Sequence, residues 1–114
     1  MGMMDIFYKA EEKEVEINGH KFLCRGLSRL EYEEIQEECA IYDVNMNTGQ
    51  ITFHKFSIAK MKELMILRGV KIDGRKITKD EVKRLRGDVL EKLYRTVQEL
   101  TDLPEDYKKK FGRP

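Results

Sequence analysis

The stretch "KEVEINGHKFLCRGLSRLEYEEI", residues 13 to 35, decides the fold. Asn18-Gly19 at its centre is the strongest two-residue hairpin signal, because a type I′ turn needs positive φ at both central positions. Such a turn sets Ile17 opposite His20, Glu16 opposite Lys21, Val15 opposite Phe22 and Lys13 opposite Cys24. Val15, Ile17, Phe22 and Cys24 then share one face, and Glu16 meets Lys21 as a charge pair on the other. Ser28 to Glu31 follows as an S-x-x-E capping box, with Leu27 and Tyr32 where a hydrophobic staple sits. The spacing predicts a helix from about residue 29 whose buried stripe is Tyr32, Ile35, Cys39 and Tyr42.

Downstream, "DVNMNTGQITFHKF" (residues 43–56) is turn-rich and reads as a loop with an optional short strand at Gln50 to His54. From Ser57, Ile58, Met61, Leu64 and Met65 suggest a helix that Gly69 closes with an αL cap, though its last turn also suits a strand. "KIDGRKI" is a polar connection with a tight turn at Asp73-Gly74. Thr78 to Glu81 is a second capping box, opening a short helix that Gly87 ends. Val89, Leu93, Val97 and Leu100 mark a further helix; one continuous helix through Gly87 is the rival reading, at a cost of about 1 kcal/mol relative to Ala. The expected fold is α+β but mostly α, an N-terminal β-hairpin packed on a bundle of about four helices. Residues 1–12 read as a flexible N-terminal segment, 13–103 as a single globular domain and 104–114 as a flexible basic tail.

The chain has 114 residues, one domain's worth, with 22 Lys plus Arg against 21 Asp plus Glu and a net charge of +1. The signs are interspersed, so no counterion-release surface for nucleic acid is visible. "KRLR" at 83–86 and "KKKFGRP" at 108–114 are short and flanked by acids. No apolar run approaches membrane-spanning length, the N-terminus lacks a leader pattern, and Ile6 stands where a myristoylation motif wants Ser or Thr. The expectation is a cytoplasmic protein with two unbridged thiols.

No catalytic fingerprint occurs. Asp43, Asn45, Asn47 and Gly49 imitate a calcium loop, but the Gly stands one place late and His54 replaces the bidentate Glu. His20, Cys24, Cys39 and His54 are zinc-capable yet too widely spaced, and each thiol lies on an apolar stripe. The carboxylates fall at helix starts, where capping accounts for them. The expectation is no enzyme, no cofactor and no metal. Met61 and Met65, one turn apart, form the kind of soft surface that adapts to varied apolar helices. With Tyr94 and Tyr107 they are the candidate partner-binding residues.

The order "VEINGHKFLCRGLSRLEYEEI" followed by a terminal "GDVLEKLYRTVQELTDL" resembles the tail assembly chaperones of long-tailed phages and prophages, over roughly residues 14 to 103. In that family the Leu-Ser pair is often preceded by Pro; here Gly26 stands before Leu27-Ser28. The resemblance implies a small, mostly helical, non-enzymatic protein that binds the tape measure protein and keeps it soluble while tail tube subunits assemble around it. It also implies a longer frameshifted form that reaches the tail tube protein, and Lys108-Lys109-Lys110 would suit a slippery A-rich codon run. A small nucleic-acid-binding regulator of a phage or prophage is the alternative.

Overall fold

Asn18 and Gly19 take φ of 51° and 83°, and around them the computed structural model, which describes residues 6–103, forms the expected hairpin. In chain order the elements are β1 (Glu12–Ile17), β2 (His20–Arg25), α1 (Arg29–Cys39), β3 (Ala40–Val44) and β4 (Ile51–Phe56). They continue with α2 (Ile58–Gly69), β5 (Val70–Ile72), β6 (Arg75–Lys76), α3 (Lys79–Lys83) and α4 (Gly87–Leu100). The β1–β2 register matches the one the turn dictates, with Val15 opposite Phe22 and Glu16 opposite Lys21.

The helical bundle is overturned. The chain is α+β with an antiparallel four-stranded sheet in the order β1-β2-β5-β6, and β3 and β4 form a separate two-stranded ribbon. The Asp73-Gly74 connection is the reason for the larger sheet. Asp73 and Gly74 take φ of 48° and 84°, nearly those of Asn18 and Gly19, so the same kind of turn makes a second hairpin. Strand β5 then pairs with β2, Phe22 facing Ile72 and Cys24 facing Val70. The Asp73 carboxylate ties the two turns together, accepting from the Lys21 backbone N–H at 3.0 Å and sitting 2.9 Å from His20 Nδ1.

Two further boundaries differ. Helix α1 stops at Cys39, and Tyr42 belongs to β3. Gly69 is the last residue of α2 and is not among the glycines with positive φ. It is small because a Cβ there would meet Val97 side-chain carbons at 2.9 Å and the Arg25 carbonyl oxygen at 3.0 Å. Helices α3 and α4 are separate, but α3 already ends at Lys83 and Gly87 opens α4.

Helix α4 lies against β1 and β2, and α2 touches α1, α3, α4 and β5. Leu27, Ile35, Met65, Ile66, Leu93 and Val97 are fully buried between these layers. The β2–α1 corner is pinned to the end of α4: the Leu27 N–H donates to Thr101 Oγ1 at 3.2 Å, and the Asp102 N–H to the Leu27 carbonyl at 3.0 Å. Tyr8, from the segment before β1, donates its hydroxyl to the Leu100 carbonyl at 3.2 Å.

Both capping boxes form, and each is gripped by an arginine six residues upstream of its glutamate. Arg25 donates to both Glu31 oxygens at 3.1 and 3.0 Å, and Arg75 to both Glu81 oxygens at 2.8 and 2.6 Å. The local pattern recurs as Arg25-Leu27-Ser28-Glu31 and Arg75-Ile77-Thr78-Glu81, with the apolar residue before the cap buried in each case. The Arg25 hydrogen bond holds Glu31 below its usual carboxylate range. The Arg75 hydrogen bond, and after it the Thr78 N–H, hold Glu81 from an ordinary 4.5 down to about 2. A depressed carboxylate stabilises the fold above its unfolded pKa and loses that contribution as pH falls through the folded value. Urea unfolding midpoints are therefore expected to hold level from pH 7 to about 5 and to fall between about 4.5 and 2. Glu31→Gln and Glu81→Gln together should flatten that fall.

Candidate interaction surface

The ribbon emerges between two helices without a linker. Ala40 is at once the C-cap of α1 and the first residue of β3, and Ser57 after β4 is the N-cap of α2. A Ser57 N–H to Cys39 carbonyl bond of 2.8 Å closes its base. At its tip the Asn45 side-chain oxygen accepts from the backbone N–H groups of Asn47 and Thr48. Of the calcium-like oxygens, that of Asn45 thus serves an Asx turn.

Every ribbon residue except Ala40 is exposed. Tyr42 pairs with Phe53, and Val44 with Ile51, so these four side chains share one face. They are large and open to solvent: Tyr42 is 56%, Ile51 66% and Phe53 48% exposed. The register shifts between Ile41 and Tyr42, where Ile41 pairs with Lys55 and Tyr42 with Phe53, leaving His54 as the extra residue of a β-bulge. Phe53 and Phe56 are three apart, a spacing that in a regular strand puts side chains on opposite faces. The bulge brings them together, with ring centroids 4.9 Å apart, and Tyr42 meets Phe53 edge-on at 6.0 Å. His54 Nδ1 sits 3.2 Å from the Asp43 carboxylate.

Phe56 carries the apolar face down to the helices. It lines two adjoining concavities of about 350 Å³ each and shares that role with Gln36. The outer one is walled by Tyr42 and Phe53 of the ribbon and by Glu33 and Glu37 of α1. The inner one is floored by Tyr32, Ile58, Met61 and Tyr94. Burial pushes the Tyr94 hydroxyl pKa up. Lys62 is ion-paired with Glu91 and lies 5.6 Å from the centre of the Tyr94 ring. Ribbon and trough form one contiguous apolar surface of the kind that marks partner binding.

Of the candidate partner-binding residues, Met61 and Tyr94 come together in this trough. Met65 is fully buried in the core, and Tyr107 lies outside the described residues. Sequence reasoning missed Tyr42, Phe53, Phe56 and Ile58. The available signal was three apolar residues in "ITFHKF" within an otherwise polar segment, matched by "AIYDV" across a turn.

The other chemistry-bearing groups are occupied locally. Cys24 and Cys39 are free and buried, and burial pushes the Cys24 thiol up to about 11. A disulfide reagent at pH 8 is expected to titrate neither thiol in the folded protein and both in urea. Rapid labelling without denaturant would contradict that burial. A further concavity, about 380 Å³, has Arg25 and Arg68 in its lining, and they are engaged with Glu31 and Glu34. In the basic run before α4, Arg84 pairs with Asp80 and Arg86 with Asp88. No three His, Cys, Asp or Glu side chains among the described residues are grouped to hold a metal, and no described helix is long and apolar enough to cross a membrane. No family model, no curated protein and no solved structure matches this chain.

Proposed function

We propose that this chain is a non-enzymatic tail assembly chaperone of a phage or prophage, which binds the tape measure protein in the host cytoplasm and keeps it soluble during tail assembly. The observation that carries the reading is the solvent-exposed face of Tyr42, Val44, Ile51 and Phe53, continuous with the Phe56–Met61–Tyr94 trough. A domain of this size has no folding use for such a face in water, whereas a protein that shields apolar stretches of a long helical client needs one. The high surface charge, 38% of all residues, keeps a complex with an apolar client in solution. A longer form made by frameshifting would add the link to the tail tube protein.

Co-expression with a tape measure fragment tests the reading. The fragment is expected in the soluble fraction with this chain and in the pellet without it. Retention of duplex DNA at physiological salt, with the fragment still insoluble, would overturn it in favour of a nucleic-acid-binding regulator.

A further inference from the structure

Resting on the client-binding reading, we infer that the segment docked along this surface is a cationic amphipathic helix, with an apolar stripe for the ribbon and trough and Lys or Arg along the edge facing α1. The only charged residues lining the two concavities are Glu33 and Glu37, one helical turn apart on α1. Neither makes an ion pair among the described residues, while the next acid on α1, Glu34, is engaged by Arg68 at 2.9 Å. Lys62, which lies 5.6 Å from the centre of the Tyr94 ring on the floor of the inner concavity, is already committed to Glu91. The trough therefore presents an apolar floor with an uncompensated acidic rim.

The placement of the rim is costly to the fold itself, which is a second and independent indication. Glu37 and Glu38 stand in the last turn of α1, which contains no basic residue, so their charges oppose the negative end of the helix dipole. A chain selected for stability alone would carry Lys or Arg there. A rule broken locally without local compensation marks a functional position. A client cation beside Glu33 and Glu37 would supply the missing charge. The two concavities follow each other with Phe56 shared between them, which suits side chains projecting from one face of a helix at i and i+4.

The probe is a pair of synthetic peptides about five helical turns long. Both carry the same Leu stripe, flanked by Lys in one and by Glu in the other, and binding is read by fluorescence anisotropy. The Lys-flanked peptide is expected to bind at least about tenfold more tightly, with the advantage shrinking as salt rises. Glu33→Lys with Glu37→Lys should invert the preference. Because Lys at position 37 favours the dipole, the same variant should raise the unfolding midpoint, which separates a lost surface from a lost fold. Glu11→Lys with Glu14→Lys, exposed residues before and within β1, should leave the preference unchanged. Equal binding of both peptides overturns the cationic preference and leaves the client-binding reading standing. Binding of neither, alongside a solubilised tape measure fragment, overturns the inference alone; binding of neither with no solubilised fragment overturns both. Sedimentation of a dimer that Phe53→Ser dissolves would seat a second copy on the face and also overturn it.

Discussion

Gly26→Ala is expected to be the most destabilising single methyl that can be added to this chain, costing about 3 kcal/mol or more. A Cβ at position 26 would lie 1.9 Å from the Leu100 carbonyl oxygen, 2.4 Å from its carbon and 2.6 Å from the Tyr8 hydroxyl oxygen. The nearest obstacles are main chain, so no rotamer change relieves them. The corner cannot back away either, because the Gly26 N–H donates to the Glu11 carbonyl at 2.9 Å and Leu27 is bonded to both Thr101 and Asp102. Relief requires separating the β2–α1 corner from the end of α4, which would open the core over Leu27 and Leu93. Urea unfolding checks this, with Gly87→Ala as the control. Gly87 has open space around it in the first turn of α4 and is not among the positive-φ glycines, so alanine there should stabilise by about 0.5 kcal/mol. Equal midpoints for the two variants would contradict the corner geometry. At this corner the backbone contact leaves room only for glycine.

Tyr42→Ser combined with Phe53→Ser is expected to do the opposite, changing function greatly and stability little. Both side chains are about half exposed and touch each other on the ribbon, away from the buried cluster. Their removal should lower unfolding stability by less than about 1 kcal/mol, the scale of one cross-strand aromatic pair. Aromatic anchors at the centre of an interface commonly carry 2 kcal/mol or more each. Losing two should weaken client binding by a factor on the order of a thousand and return a co-expressed tape measure fragment to the pellet. Both proteins are checked by urea unfolding and by the soluble fraction of the fragment. Wild-type solubilisation by the double variant would remove the ribbon from the account.

Where local chemistry has one solution, this chain could be read in advance. Asn18-Gly19 dictates its turn and, through the turn, the pairing of Val15 with Phe22. Ser28 and Thr78 each announce a helix three residues before a glutamate that answers them. The ribbon was legible only in part: the optional strand at Gln50 to His54 overlaps β4 (Ile51–Phe56), while its partner β3 reads as helix and loop, because neither face of the ribbon is buried. Without a core to demand alternation, Ile51, Phe53 and Phe56 show no clean period of two, and the bulge at His54 changes the spacing midway. Tyr42 continued the helical stripe of α1 by spacing alone, and only the structure shows the chain leaving the helix at Cys39. Asp73-Gly74 was recognised as a turn, but strands of three and two residues are too short to announce themselves as a hairpin. The trough was half legible. Met61 and Met65 lie on one stripe and both belong to the buried core, and a stripe does not say which of its members also reaches the floor of a groove; here Met61 does and Met65 does not.

Whether a client covers the apolar ribbon face is tested most directly by amide hydrogen exchange on the free protein and on its complex with a tape measure fragment. Slowed exchange is expected above all in β3, β4 and the first turn of α2, residues 40 to 61, extending to the trough-lining parts of α1 and α4 around Gln36 and Tyr94, with β1, β2 and β5 unchanged. Protection on the outer face of the sheet around Leu23, Lys71 and Lys76, with the ribbon exchanging as fast in the complex as in the free protein, would contradict client binding at the ribbon.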